Sequence, residues 1–221
     1  MQDLLIPTKI VKSKRRSISL IIENNGDFIV RAPLKAKEND IYKFIAEKSK
    51  WIISKRTERL HNKPKVLRFN NEEENVSILG NKYTIKLHNA IKVKILDAII
   101  YIPEINSKEK LIQYLKKLAK QVIDEELKQI NKEYGLTYSK ISINSAKTRW
   151  GSCNAKNKLN FTYKLMLCPI EIVRYVVIHE ICHTKVKNHG KGFWKLVKEY
   201  CPNYKTCEKW LKDNRSIIEL I

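Results

Sequence analysis

The segment from Pro169 to His183 is apolar at nearly every position beyond its first turn. Because proline is favoured in the first turn of a helix, the segment is predicted to be a helix that begins near Pro169. A helix that is apolar nearly all round is buried, so the chain must pack other elements around it. The apolar positions are Ile172, Val173, Tyr175, Val176, Val177, Ile178, Ile181 and Cys182. His179, Glu180 and His183 would therefore lie inside a core, where polar groups cost free energy unless something satisfies them.

The sequence HEICHTKVKNH, residues 179–189, contains the pattern H-E-x-x-H. Two histidines four residues apart lie on one face of a helix, so the ring nitrogens of His179 and His183 can reach a single metal ion. Glu180 lies beside the first histidine and can reach a water molecule bound to that metal. This is the position of the general base in zinc hydrolases of the H-E-x-x-H type. A metal ion with its water would satisfy all three polar groups.

His189 is a third candidate ligand, but a continuous helix would point it away from the face that carries His179 and His183. Asn188 and Gly190 tolerate the left-handed backbone conformation that ends helices. We therefore expect the helix to end just before Asn188, so that the chain can turn and His189 can bind. The alternative is that the three histidines are ordinary helix and surface-loop residues.

The net charge of +21 arises from 44 basic and 23 acidic residues. Such a charge suggests a nucleic acid or another polyanion as a partner. Most of the basic residues are lysines spread along the chain, and lysine is less specific than arginine for bidentate contacts with phosphates or bases. The charge therefore predicts, at most, weak and non-specific nucleic-acid binding through a solvated basic surface.

The 221 residues are enough for one sizeable core, or for a small domain packed on a larger one. The sequence has no apolar run of about 18 residues, and its start lacks the apolar stretch of a secretory signal. We therefore expect a cytoplasmic protein that does not bind membranes. The five cysteines are odd in number and form no C-x-x-C pair, which predicts reduced thiols rather than disulfides or a cysteine zinc site.

Patterns in the amino-terminal half predict mainly strands. Residues 18–30 form two β-prone runs around Asn25 and Gly26, which is a hairpin signal. Residues 38–60 carry apolar side chains at helical spacing and are expected to pack on that hairpin as an amphipathic helix. Several short β-prone runs between residues 66 and 102 predict a small antiparallel sheet.

The carboxyl-terminal half begins with a long predicted helix from Lys108 to about Tyr134, with Ser107 as N-cap and Gly135 as stop. Strands are expected from 140 to 146 and from 159 to 167, with a turn at 149–157 between them, before the histidine-bearing helix. The best domain break lies near Pro103 to Ser107. We thus predict an α+β protein with a β-rich region at 1–104 and a second domain at 105–221.

The H-E-x-x-H pattern lies within YVVIHEICH at 175–183, and three further motifs accompany it. They are KTRWGSC at 147–153, LNFTYKLMLCP at 159–169 and NHGKGFW at 188–194. Together with RRSISLIIENNGDFIVRAP near the amino terminus, they make most of the chain resemble the YgjP-like metallopeptidase family, which is related to the SprT and WLM zincins. The resemblance implies a zincin-like core in which a buried H-E-x-x-H helix packs against an antiparallel or mixed sheet, preceded by a small β-rich region.

The resemblance also implies the roles of the site residues. His179, His183 and His189 would bind one Zn²⁺ per chain, and Glu180 would be the catalytic base. The His183-to-His189 spacing equals that of metzincins, but Val186 stands where metzincins have glycine, so the turn must be built differently. Cys182 beside the ligands is expected to pack in the core.

Zincins commonly pair an edge strand with an extended peptide substrate, and residues 158–166 are the predicted edge. The predicted substrate-binding residues are Arg149, Trp150, Asn160 and Tyr163. For Arg149 the alternative is a contact that ties its turn to a carboxylate, and for Trp150 it is simple core packing. Tyr163, Tyr175, Arg149 and a backbone N–H group are all compatible with the role of second oxyanion donor.

These features predict a zinc-dependent metallopeptidase that cleaves a peptide bond in a peptide or protein substrate. The charge keeps open a second hypothesis, a nucleic-acid-associated protein with a structural zinc site, or a protease recruited to DNA as SprT-like proteins are. A third is a metal-dependent hydrolase of a non-peptide bond, because metal-activated water does not identify the substrate.

Overall fold

The computed structural model describes residues 5–23, 25–61, 66–70, 74–89 and 91–221. The chain divides into two compact units, Met1–Lys65 and Val66–Ile221, each with its own hydrophobic core. Both units combine helices with strands, which confirms the predicted α+β class.

The first unit contains a three-stranded sheet formed by β1 (Lys9–Ser13), β2 (Ser19–Ile22) and β3 (Phe28–Pro33). β2 and β3 pair antiparallel, as the hairpin signal predicted. β1, which no sequence pattern indicated, lies on the other side of β3 and pairs with it in parallel.

The helix predicted over residues 38–60 is instead two helices, α1 (Glu38–Glu47) and α2 (Ser49–His61). They separate at Lys48, so the mostly helical spacing of the apolar residues spans a break that the spacing alone does not reveal. The core that the helices share with the sheet consists of Phe28, Val30, Ala32, Ile41, Ile45 and Ile52. The predicted packing of helix on hairpin is therefore confirmed.

The second unit begins with a four-stranded sheet of β4 (Glu74–Ile78), β5 (Asn81–His88), β6 (Lys94–Leu96) and β7 (Ile99–Pro103). The strand order is β4-β5-β7-β6. The sheet is mixed rather than antiparallel, because β5 and β7 pair in parallel and β6 folds back onto β7.

Helix α3 (Ser107–Tyr134) confirms the long predicted helix and ends at Gly135, which adopts a left-handed φ of 65°. Ser107 is not the N-cap: it is the first helical residue, and its hydroxyl donates to the carbonyls of Pro103 and Glu104. The face of α3 that enters the core carries Leu111, Leu115, Ala119, Ile123, Leu127 and Ile130.

A second three-stranded sheet contains β8 (Lys140–Asn144), β9 (Gly151–Cys153) and β10 (Lys158–Thr162), in the order β8-β10-β9. β10 pairs in parallel with β8 and antiparallel with β9. The strand expected to run to residue 167 ends at Thr162 and continues as a 3-10 helix, Tyr163–Leu167.

The rest of the unit is helical: α4 (Ile170–Cys182), α5 (Lys191–Tyr200), α6 (Tyr204–Asp213) and a final 3-10 helix, Arg215–Glu219. α4 contacts α3, α5, α6 and β9. The helix that the sequence predicted to be buried therefore lies at the centre of the second unit.

The four-stranded sheet and the histidine-bearing helix share one core. Ile78 and Ile100 belong to the same buried cluster as Leu111 of α3 and Ile178 of α4. The boundary expected near residue 104 therefore does not coincide with the division between the compact units, which falls at residues 65 and 66. Within the described residues, no helix has the length and apolar character needed to cross a membrane.

Candidate metal centre

His179, Glu180 and His183 lie together at the carboxyl-terminal end of helix α4, whereas Glu171 and Arg174 lie nearer its start. Glu180 and His183 are only 7% and 8% exposed, and His179 is half-buried. Burial, reinforced by the neighbouring His183 and His189, lowers the pKa of His179 to about 3, and burial also lowers the pKa of His183. Both imidazoles are therefore neutral near pH 7, which is the state that binds metal ions.

The helix ends at Cys182, several residues earlier than the predicted stop before Asn188. His183 caps it, and the backbone N–H of Val186 donates to the carbonyl of Cys182 at 3.0 Å. The Val186 carbonyl in turn lies 3.0 Å from Nδ1 of His183. This turn is built by hydrogen bonds rather than by a glycine, and it brings His189 back towards the helix.

The Nε2 atoms of the three histidines converge. Nε2 of His189 lies 3.1 Å from Nε2 of His183 and 3.1 Å from Nε2 of His179. Within the described part of the chain, these three residues are the one group of three or more His, Cys, Asp or Glu side chains that could hold a metal ion, and their ligand atoms all lie within 4.8 Å of one another.

The donor set fits a zinc ion. Three nitrogens at tetrahedral positions around zinc, each at about 2.0–2.1 Å, are about 3.3 Å apart, close to the separations found here. Because Nδ1 of His183 faces a carbonyl oxygen, that nitrogen carries the proton and Nε2 presents a lone pair. Three ligands leave a fourth position open, as in catalytic rather than structural zinc sites.

Glu180 follows the first ligand and packs directly on strand β9. A methyl group at Gly151 would lie 2.6 Å from Cγ of Glu180 and 2.7 Å from Oε1, closer than a Cβ atom can approach. Burial raises the pKa of Glu180 to about 7, and the charge of Arg149 acts in the opposite direction. The carboxylate of Glu180 is thus buried against β9, in a space that any side chain larger than glycine at position 151 would enter.

Residues 158–166 were predicted to form the edge strand beside the site, but they do not. The edge strand beside Glu180 is β9. β10 is the central strand of its sheet, with β8 on one side and β9 on the other, so both of its edges are paired. Among the described residues, β9 pairs with β10 alone.

The hydrogen bonds of β9 show which of its groups face outwards. Thr162 donates to the carbonyl of Trp150, and Asn154 donates to the carbonyl of Lys158. Antiparallel pairs alternate along a strand, so Ser152 also faces β10 while Gly151 and Cys153 direct their backbone N–H and C=O groups to the free edge.

The four predicted substrate-binding residues lie in different surroundings. Arg149 is exposed and acts electrostatically on Glu180, whereas Trp150 is half-buried against the core. The Asn160 amide donates to the Ser152 hydroxyl on β9 at 3.3 Å. Tyr163 is 2% exposed, with the ammonium groups of Lys116 and Lys164 near its ring, so it lies in the core rather than in a cleft.

Lys187 fixes the loop between the second and third histidines. Its ammonium group donates to the carbonyl of Asn154 at 3.0 Å and to Oδ1 of Asn157 at 2.5 Å. Both acceptors lie in the turn between β9 and β10. The loop that carries His189 is therefore tied to the same hairpin that provides the free edge.

The sequence analysis missed three residues that contact the site side chains: Gly151, Phe193 and Trp194. A glycine inside a strand often marks a position where another group approaches closely. Residues 149–157 were predicted to form a turn, so Gly151 gave no such signal, whereas the structure places it in β9. The two aromatic residues follow His189 on α5, and nothing in their spacing distinguishes them from ordinary core residues. None of the five cysteines is paired in a disulfide, and Cys182 is fully buried.

The chain is similar in sequence to a known family of metallopeptidases. The family model for the YgjP-like metallopeptidase domain matches residues 16–214. A crystal structure of the metallopeptidase zymogen jannalysin from Methanocaldococcus jannaschii aligns with 42% of this chain and 93% of its own, at 20% identity and a TM-score of 0.34. No curated protein sequence matched.

Proposed function

This chain belongs to the YgjP-like metallopeptidase family, and on that premise we propose that it is a zinc-dependent peptidase in which Glu180 is the general base. The observation that carries the proposal is the convergence of three imidazole Nε2 atoms beside a buried carboxylate. A structural zinc site would use four protein ligands and would need no carboxylate next to them. A catalytic role accounts for both features.

The histidines would hold the metal and Glu180 would move protons. A divalent ion bound there would lower the pKa of a water molecule and would polarise a carbonyl oxygen. Glu180 accepts a proton from the attacking water and later donates it to the leaving amine nitrogen. Its tight packing on Gly151 fixes the carboxylate, so little reorganisation is needed for either transfer.

The free edge of β9 is the proposed binding site for the substrate backbone. Gly151 and Cys153 offer outward-facing backbone N–H and C=O groups, which an extended peptide can pair with by adding a strand to the sheet. Because Gly151 also touches Glu180, a peptide on this edge lies next to the general base. This position replaces residues 158–166, whose strand has no free edge.

Arg149 is the proposed donor to the oxygen that becomes negatively charged during attack. Of the side chains compatible with this role, Tyr163 and Tyr175 are 2% and 4% exposed, whereas Arg149 is exposed and acts on Glu180. A cation beside the developing charge stabilises the transition state more than the ground state.

The direct test is cleavage of a mixture of unfolded peptides, with new termini identified by mass spectrometry. We expect the zinc-loaded protein to cut peptides, a chelator to stop cleavage, and added Zn²⁺ to restore it. Zinc-loaded protein that cuts none of the peptides but hydrolyses a non-peptide amide or ester would contradict the peptidase assignment.

The same assay tests Arg149. Replacing Arg149 with Met should lower kcat by about 100-fold, the usual cost of removing one oxyanion donor, while Arg149→Lys keeps part of the rate. Lys147→Met is the matched control, because Lys147 is an exposed cation in the same segment. Equal effects of the Arg149→Met and Lys147→Met variants would reduce the role of Arg149 to general surface charge.

A further inference from the structure

Phe193, in the first turn of α5, packs against all three histidine rings. It is fully buried, and its ring stacks on His183 with a centroid separation of 4.3 Å and an interplanar angle of 22°. The same ring meets His179 and His189 nearly edge-on, with centroids 5.0 Å and 4.8 Å away. One aromatic side chain therefore contacts all three candidate ligands.

Trp194, the next residue, extends this packing to the exposed ligand. Its ring lies 5.8 Å from the His189 ring at an interplanar angle of 26°, and 5.9 Å from the His179 ring. On its other side Trp194 stacks on Tyr204 of α6, with centroids 5.4 Å apart. His189 comes from a loop, so this contact ties its ring to two helices.

Hydrogen bonds do not provide the same restraint for every ligand. Metal-binding histidines usually donate their other ring nitrogen to a carboxylate or a carbonyl, which fixes the ring. His183 has such a partner in the Val186 carbonyl. Nδ1 of His179 is buried, and among the described residues it has no hydrogen-bond partner.

We propose that Phe193 and Trp194 are positioning residues, which orient the ligand imidazoles by ring packing, including the imidazole of His179, which lacks an outer hydrogen bond. The inference rests on the proposed metal site. Removing either ring while keeping an apolar side chain frees the histidine rings to rotate. The metal affinity then falls, because part of the binding free energy is spent on ordering the ligands.

The test is the Zn²⁺ dissociation constant of the full chain, measured by competition with a chelating indicator. Phe193→Leu and Trp194→Leu should each weaken binding by about 10- to 100-fold, the range for loss of an outer partner of a ligand. Trp194→Phe keeps a ring and should stay within a few-fold of the wild type. The Co²⁺ absorption spectrum should change in both leucine variants, since it reports the arrangement of the ligands.

Tyr200→Leu is the matched control. Tyr200 lies on the same helix, and its ring packs on Tyr134 rather than on a histidine. Thermal unfolding of each metal-free variant separates loss of metal affinity from loss of the fold. Tyr200→Leu should bind zinc like the wild type even if it lowers the unfolding temperature as much as Phe193→Leu does.

Two failures are distinguishable. A wild-type protein that binds no zinc would overturn the metal site and with it the proposed function. Tight binding by the wild type, with unchanged dissociation constants and Co²⁺ spectra in both leucine variants, would overturn the positioning role alone.

Discussion

Replacing Glu180 with Gln is expected to reduce kcat by about 1,000-fold or more while the protein still binds zinc. Glutamine has nearly the same shape, so it can occupy the space against Gly151, but its amide cannot accept the proton of the attacking water. General acid–base catalysis contributes about 10²- to 10⁴-fold, and here one residue serves both proton transfers. Peptide cleavage and zinc content should be measured on the same preparation.

Glu171→Gln is the control for this change. Glu171 lies on the same helix, α4, but at its exposed first turn, so the variant loses one carboxylate outside the site. We expect it to keep wild-type turnover. Persistent cleavage by the Glu180→Gln protein would show that another group is the base.

Gly151→Ala should also impair turnover strongly, by about 100-fold, with little loss of zinc. The new methyl group would lie within 3.0 Å of Cγ, Cδ and Oε1 of Glu180, so the carboxylate or the strand must shift. A misplacement of about 1 Å near the reacting groups is enough for a loss of this size. The effect should appear in kcat, since none of the three histidines is touched.

Gly192→Ala is the matched control, because a Cβ atom at Gly192 meets nothing within 4 Å. Gly192 lies in the first turn of α5, where alanine is at least as favourable as glycine. Equal activity of the Gly151→Ala and Gly192→Ala proteins would mean that the close approach of Glu180 to β9 has no catalytic role.

The sequence predicted the histidine cluster because its spacing is local. His179 and His183 are one turn apart on any helix, so their proximity does not depend on the rest of the fold. The contribution of His189 depends on where the helix ends, and the predicted end was several residues too late. Backbone hydrogen bonds around Val186 set that end, and such bonds leave no clear mark in the composition of a turn.

The surroundings of the cluster were less predictable, because they arise from contacts between distant parts of the chain. The strand at residues 158–162 was identified, but its place in the centre of the sheet follows from parallel pairing with β8. Short β-prone runs do not reveal pairing order. Tyr163 was predicted to bind substrate as part of a continuing strand, whereas the chain enters a 3-10 helix there and the side chain is buried.

The most direct test of the metal centre is the zinc content of the wild-type chain, purified without chelators or a histidine tag, compared with that of His189→Ala. We predict about one zinc ion per wild-type chain. In the variant, zinc affinity should fall by more than about 100-fold, beyond the usual cost of losing an outer partner. A folded wild-type protein that takes up no added zinc, or a variant that binds zinc as tightly as the wild type, would contradict the three-histidine site.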